Sequence, residues 1–223
     1  MRNLVIACSK NWFIKNASSE EFAKLPITYI SVKENLNLKF LKAVNPKYIF
    51  FPHWSWKVDK SIYQRYECVA FHTAPLPYGR GGSPIQNLII RGFKKSPICA
   101  LKMNQDIDSG PIYTMREICL DGDLKDIFKR MAEKIEEMII NICFEEPIPK
   151  NQEGKVELFS RLNYSDNEIK PYMSKKEIYD RIRMVDADDY QKAFIKFGSR
   201  KIILSKASLK NNELNADMKL FDN

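Results

Sequence analysis

The sequence is poor in the residues that build metal and disulfide sites. It has two histidines and five cysteines among 223 residues, and no two cysteines form a Cys-x-x-Cys pair. A structural zinc site would have almost no ligand set, so we predict no metal. Each cysteine stands in or beside an apolar run, which favours buried, reduced thiols and a reducing compartment. We therefore expect a cytoplasmic protein.

Long hydrophobic runs are also missing near the start of the chain. The first apolar run, Leu4 to Cys8, is far shorter than the ~20 residues that a membrane helix needs. No h-region with a small-residue cleavage site follows it. We expect this run to be the opening strand of the fold, and we expect no membrane partner.

The sequence has an excess of basic residues over acidic ones. The formal net charge is +8, but the sequence has no arginine-rich run and no recognisable nucleic-acid-binding signature. Three interpretations remain open: a phosphate-bearing small molecule, nucleic acid, or a solvated surface that is simply basic. The scatter of the basic residues makes nucleic acid the least favoured partner.

Short apolar runs alternate with stretches of helical character. Runs at residues 4–7, 27–32, 48–51 and 68–71 are almost continuously apolar, which is typical of parallel strands covered on both faces. Two further strands are predicted at 98–103 and 111–118. The clearest amphipathic helix begins at Leu124, with Asp121 or Asp123 as its cap, and ends near Phe144. The pattern predicts an α/β fold with a mostly parallel, twisted, Rossmann-like sheet.

The composition becomes polar beyond Lys150. We predict a catalytic domain at residues 1–149 and a small α+β extension at 150–223. The extension has a helix predicted around residues 174–184 and a strand at 201–205. The last stretch, from Lys210 onward, is predicted to be a frayed tail.

The most informative segment runs from Phe71 to Gln86. His72 directly follows a buried strand, at the edge of the sheet where open α/β proteins bind ligands. Prolines restrict the loop that follows, and glycines allow the backbone to approach a ligand. Ser83 is predicted to cap a helix that has Pro84 in its first turn. Taken alone, such a glycine-rich turn is common, and a lone histidine is more often structural than catalytic.

Two motifs together resemble those of the folate-dependent formyltransferases, a family that includes methionyl-tRNA, glycinamide ribonucleotide and sugar N-formyltransferases. The first motif is His72, Pro77, Arg80-Gly81 and Pro84-Ile85; the second is Met103 followed by residues 108–112, Asp-Ser-Gly-Pro-Ile. The resemblance implies N10-formyltetrahydrofolate as co-substrate and an amine as acceptor. It also implies that His72 and Asp108 are catalytic. The expected substrate- or folate-binding positions are Pro77, Arg80, Gly81, Gly82 and Gly110.

One position departs from the family pattern. The family usually has asparagine two residues before the histidine, where it donates its amide to the formyl oxygen; here that residue is Ala70. We hypothesise that the loop after the third strand compensates, with His53 reaching the site and Trp54 forming a flat wall for a ring. Core packing is an equally good explanation for the tryptophans.

The acceptor is less well defined than the reaction. Gly82 and Asn87 look similar to the branch that acts on nucleotide-linked amino sugars, which implies an acceptor such as UDP-4-amino-4,6-dideoxy-N-acetyl-altrosamine in surface-glycan or pseudaminic-acid-type biosynthesis. Two alternatives stay open: a methionyl-tRNA-type formyltransferase, and a non-catalytic formyltransferase-like binding module. The sequence does not set the oligomeric state, and a homodimer is one of the open possibilities.

Overall fold

A computed structural model describes residues 2–222, so Met1 and Asn223, the outer ends of the two predicted segments, lie outside the described residues. The strands are β1 (Leu4–Cys8), β2 (Ile27–Ile30), β3 (Tyr48–His53), β4 (Glu67–His72), β5 (Tyr78–Gly81), β6 (Lys95–Lys102), β7 (Ile112–Cys119), β8 (Glu157–Phe159), β9 (Ala193–Phe197), β10 (Arg200–Lys210) and β11 (Glu213–Asp222). The α-helices are α1 (Trp12–Asn16), α2 (Glu20–Ala23), α3 (Leu38–Val44), α4 (Lys60–Tyr63), α5 (Pro84–Ile90), α6 (Leu124–Glu145) and α7 (Lys175–Arg183).

A six-stranded sheet with the order β2-β1-β3-β4-β6-β7 carries the core. Strands β1 to β4 pair in parallel, and β6 and β7 join them in antiparallel orientation. Strand β1 is buried along its whole length, and a separate apolar cluster covers each face of the sheet. The predicted α/β class and the mostly parallel central sheet are confirmed.

The strand register brings three chain segments together at one edge of the sheet. Cys8 of β1 is paired with His53 of β3, and Phe51 of β3 is paired with Ala70 of β4. His53 and His72 are the last residues of the neighbouring strands β3 and β4. Parallel pairing thus places both histidines of the chain at the carboxyl edge.

Helix α6 packs against this sheet with the apolar face that its sequence period predicts. Its N-cap is Asp123, the second of the two candidates, and Asp126 completes a reciprocal capping box with it. The buried residues along the helix include Leu124 and Ile142, both fully buried. The predicted helix is confirmed, with its end one residue beyond Phe144.

The C-terminal segment is more ordered than its polar composition suggests. Strands β9, β10 and β11 form an antiparallel sheet, so the prediction of a frayed tail from Lys210 was wrong. Asn211 and Asn212 take left-handed backbone angles, as a two-residue hairpin turn requires. Cross-strand pairs such as Ile202 with Leu220 then continue the hairpin.

Two strand contacts tie the start of the C-terminal segment to the rest of the chain. Lys150 bridges Ile112 of β7 in the main sheet, and β8 pairs in parallel with β5 in a separate two-stranded sheet. The boundary between residues 149 and 150 stays a prediction. Within residues 2–222, no helix combines the length and the apolar composition that a membrane span requires.

A buried arginine joins the C-terminal segment to the core. Arg183 is 3% exposed, and its guanidinium donates to Asp180 at 2.6 Å. The same group donates to the carbonyls of Leu120 and Gly122, at 2.5 and 3.0 Å, in the turn before α6. One side chain therefore ties α7 to the start of the long helix.

We predict that Arg183→Leu lowers the free energy of unfolding by about 2–4 kcal/mol, because two carbonyls and Oδ1 of buried Asp180 lose their donor, while Lys176 still pairs with Oδ2. Arg200→Leu is the matched control, since Arg200 pairs with Asp222 at an exposed site and its loss should change stability by less than about 1 kcal/mol. Urea unfolding of both variants measures the difference. Equal destabilisation of the two variants would contradict the linking role of Arg183.

Candidate active site

His72 has a polar contact at each ring nitrogen. It is the last residue of β4 and is 6% exposed. Its Nε2 lies 2.7 Å from the carbonyl oxygen of Gly79, and its Nδ1 lies 3.3 Å from Oδ2 of Asp108. These two oxygens orient the imidazole ring at the end of β4.

Asp108 meets His72 from the loop between β6 and β7. Its Oδ2 also accepts the backbone N–H of Gly81 at 3.0 Å. Its backbone has φ 51, a left-handed conformation that aspartate tolerates better than most residues do. Strain of this kind persists where surrounding contacts impose it, and here it turns the carboxylate toward the histidine.

A bridge of polar side chains fixes the Asp108 loop. Gln152 donates its amide to the carbonyls of Asp108 and Gly110, both at 2.8 Å. Arg80 donates to the amide oxygen of Gln152 through Nε and a terminal nitrogen, at 3.0 and 2.8 Å. Gly110 is required by space, because an added Cβ would lie 1.7 Å from the carbonyl oxygen of Lys102. Gln152 and Arg80 therefore hold the Asp108 loop in place.

A cavity of about 790 Å³ opens beside this pair. Its size lies within the range of small-molecule sites, ~300–1,000 Å³. Of the predicted site residues, those that line it are His53, Trp54, His72, Gly81, Gly82 and Asp108. The structure thus brings both predicted catalytic residues together at the cavity wall.

Three predicted binding residues do not line the cavity. Pro77, Arg80 and Gly110 are absent from its wall, and Arg80 is instead engaged by Gln152.

The prediction for the start of α5 is confirmed in position but not in contact. Ser83 stands at the N-cap with φ 49, and Pro84 is in the first turn. The Ser83 side chain does not cap the helix, because its Oγ accepts from the backbone of Leu162 instead.

The C-terminal segment supplies cavity residues that sequence inspection missed. Arg161, Tyr164 and Tyr190 line the cavity. No motif surrounds them in the sequence; the pairing of β8 with β5 leads the chain to Arg161, and Tyr190 packs on Phe128 with 5.6 Å between ring centroids. Lys10 also lines the cavity, and it donates to the carbonyl of Asp189 at 2.9 Å.

The neighbours of His53 decide its protonation. The indole Nε1 of Trp12 donates to His53 Nδ1 at 3.2 Å, and Trp12 itself stacks on Phe128 with 4.6 Å between ring centroids. Burial, reinforced by the positive charges of Lys10 and Arg161, lowers the pKa of His53 to about 4. His53 is therefore neutral near pH 7. Because indole can only donate, Nδ1 is the bare nitrogen and Nε2 carries the proton.

Trp54 lines the cavity as well as packing within the protein. Its ring makes edge contacts with Phe51 and Trp56, with centroids 6.0 and 4.9 Å apart. Trp54 therefore packs against the core and also faces the cavity, and its role as a flat wall for a bound ring stays a prediction.

We predict that His53 titrates near pH 4, against an ordinary value of 6.5, and that its neutral form carries the proton on Nε2. Between pH 6.5 and 4 the unfolded chain binds a proton at this residue and the folded chain does not. His53 therefore contributes roughly 3 kcal/mol of stability above pH 6.5, and this is lost as the pH falls toward 4. Nitrogen-15 NMR of the two imidazoles measures both properties; a titration midpoint near 6.5 would contradict the assignment.

Comparison with known proteins agrees with this architecture. Residues 164–221 match the family model described as the methionyl-tRNA formyltransferase C-terminal domain. A methionyl-tRNA formyltransferase of Campylobacter jejuni is 26% identical over 167 residues, which are 73% of this chain and 55% of that protein. The chain thus spans about half the length of this curated relative.

Two solved structures of low identity share the fold. HypX from Aquifex aeolicus, in complex with tetrahydrofolic acid, has a TM-score of 0.75 at 14% identity, covering 92% of this chain and 37% of that one. A sugar N-formyltransferase from Shewanella sp FDAARGOS_354 has a TM-score of 0.67 at 15% identity, covering 92% and 97%.

A third structure is much more similar. The methionyl-tRNA formyltransferase from Clostridium thermocellum has a TM-score of 0.95 and is 41% identical, covering 100% of both chains. With this identity over the full length, and with His72 and Asp108 of the family motif joined at the cavity wall, the chain belongs to the formyltransferase family.

Proposed function

We propose that this protein transfers a formyl group from N10-formyltetrahydrofolate to a primary amine. The observation that carries the proposal is the contact between His72 and Asp108 at the wall of the cavity, 3.3 Å from ring nitrogen to carboxylate oxygen. The non-catalytic alternative is less well supported, because both residues are present and in contact.

Proton transfer in this reaction falls to Asp108, which His72 orients. As the amine nitrogen bonds to the formyl carbon, the nitrogen becomes positively charged and must lose a proton. Among residues 2–222, Asp108 Oδ1 has no hydrogen-bond partner, and it is not a fully buried atom. We assign Oδ1 as the acceptor of that proton and as the group that passes it to the departing folate nitrogen, while the His72 ring beside Oδ2 orients the carboxylate.

The cavity suits a folate-derived donor in size and lining. Its volume of about 790 Å³ is that of a site for a large organic molecule. Trp54 and Tyr63 are aromatic components of the wall, where a flat pteridine ring can stack. The tetrahydrofolic acid in the HypX structure supports the same donor class.

For the acceptor we propose the amino group of methionyl-tRNA, which replaces the nucleotide sugar as the favoured substrate. The 41% identical structure and the Campylobacter jejuni relative are both methionyl-tRNA formyltransferases, which supports this acceptor. Lys10, Lys57 and Arg161 line the cavity and add positive charge suited to phosphate groups.

The residues that pointed to an amino sugar have structural roles. An added Cβ at Gly82 would lie 2.6 Å from Cα of Arg161, so the loop itself demands glycine. Asn87 donates to the carbonyls of Gly82, Ser83 and Ser160, at 3.1, 3.1 and 2.9 Å. Loop packing thus explains both residues without a sugar acceptor. A nucleotide-linked amino sugar remains the second candidate acceptor, because Gly82 and Asn87 resemble the branch of the family that acts on such sugars.

We predict that the protein with N10-formyltetrahydrofolate adds one formyl mass to methionyl-tRNA, and that His72→Asn and Asp108→Asn each reduce kcat about 100- to 10,000-fold. Asp217→Asn is the matched control, because Asp217 lies on β11 in an exposed pair with Lys206 and should leave kcat unchanged. Product mass and tetrahydrofolate release measure the reaction. The same assay is run in parallel with UDP- and dTDP-linked amino sugars as acceptors.

The two acceptors differ in their dependence on salt. Formylation of tRNA should fall steeply between 50 and 200 mM salt, since several phosphate contacts release counterions on binding. Formylation of a sugar alone would reject the tRNA proposal while retaining the reaction. Transfer to neither acceptor, with tetrahydrofolate bound normally, would support the non-catalytic module.

A further inference from the structure

Formyl transfer places negative charge on the formyl oxygen, and the site must provide a donor for it. When the amine nitrogen bonds to the carbon, the C=O electron pair moves to oxygen, and it returns when the bond to folate nitrogen breaks. A fixed N–H donor at this oxygen is usually a large contributor to such a reaction. This chain must therefore supply an N–H donor near the formyl oxygen.

Neither Ala70 nor His72 provides a free hydrogen-bond donor in the structure. Ala70 lines the cavity but has no polar side-chain atom. Both ring nitrogens of His72 are already engaged, with the carbonyl of Gly79 and the carboxylate of Asp108. His72 donates to the oxyanion only if it gives up one of these partners.

His53 has the opposite arrangement. Its Nδ1 is occupied by the indole N–H of Trp12, which forces the proton onto Nε2. Within residues 2–222, Nε2 has no hydrogen-bond partner, and it is not among the fully buried polar atoms without one. Because His53 lines the cavity, this N–H is accessible to a ligand there.

The strand order places His53 beside the reacting centre. His53 and His72 are the last residues of the neighbouring strands β3 and β4, and both line the cavity. Cys8 of β1 is paired with His53, and the N–H of Ser9 donates to the His53 carbonyl at 2.7 Å. The backbone that carries the imidazole is therefore fixed against β1.

We propose that the Nε2–H of His53 donates a hydrogen bond to the formyl oxygen and to the oxyanion that forms there, with Trp12 as the residue that positions the ring. The inference rests on the proposed formyl transfer. His53 takes the place of the asparagine amide that Ala70 lacks. It transfers no proton and acts as a neutral donor throughout.

A neutral donor is suited to this task. Lys10 and Arg161 oppose a second proton on His53, and burial acts in the same direction. The donor therefore keeps one proton in one place as charge appears and disappears on the oxygen. Trp12 is held by its stack on Phe128, so the ring orientation is set before substrate binds.

The test is steady-state kinetics of His53→Ala and His53→Gln with the acceptor that the wild-type protein uses. We expect His53→Ala to lower kcat about 100- to 1,000-fold with little change in KM for the folate. His53→Gln, which retains an N–H donor, should recover part of that loss. Far-ultraviolet circular dichroism and tetrahydrofolate binding check that each variant is folded.

A second-site variant separates chemistry from packing. Ala70→Asn in the His53→Ala background places an amide donor on the neighbouring strand and should raise kcat at least tenfold over His53→Ala. A purely structural His53 predicts no such rescue. Trp12→Phe retains the stack but removes the indole donor, so it should lower kcat less than His53→Ala and yield a mixture of His53 tautomers by nitrogen-15 NMR.

The outcomes distinguish the two proposals. If the wild-type protein transfers formyl and His53→Ala has the same kcat, the donor assignment is wrong and the proposed function stands. If the wild-type protein transfers formyl to no amine, the proposed function fails first. A loss in His53→Ala that appears only in KM, with no rescue by Ala70→Asn, would make His53 a binding residue and overturn the oxyanion role.

Discussion

A single carboxylate oxygen organises the site. Oδ2 of Asp108 accepts from the Gly81 backbone and faces the His72 ring, so the end of β4, the glycine-rich loop and the loop before β7 converge on one atom. The left-handed backbone at Asp108 is the conformation that makes this convergence possible. Arg80 and Gln152 hold that conformation from outside the cavity, which explains why the arginine of the motif does not line it.

The two histidines of the chain occupy equivalent places on neighbouring strands and have different electrostatic surroundings. His72 contacts a carboxylate and a carbonyl, which are both hydrogen-bond acceptors. His53 is buried next to an indole donor and two nearby cations, which favour a single proton. The ends of two neighbouring parallel strands bring the rings to one cavity, and their neighbours give them different hydrogen-bond partners.

The C-terminal segment closes the cavity as well as adding a second sheet. Pairing of β8 with β5 leads the chain past the glycine-rich loop, where Arg161 packs closely on Gly82. The positive charges of Lys10 and Arg161 have two effects. They attract phosphate groups, and together with burial they keep His53 neutral. This coupling links acceptor binding to the state of the proposed oxyanion donor.

Local patterns in the sequence determined the α/β class, the opening parallel strands, the long helix with its Asp123 cap, and the pairing of His72 with Asp108. These features depend on residue period, capping chemistry and two coupled motifs, all of which are written along the chain.

Tertiary structure alone decided the ordered hairpin after Lys210, the turn of Arg80 away from the cavity, and the tautomer of His53. Each of these depends on contacts between residues far apart in sequence, such as Ile202 with Leu220, Arg80 with Gln152, and Trp12 with His53. No local pattern encodes such contacts, because the partners meet only after the sheet has brought their strands together.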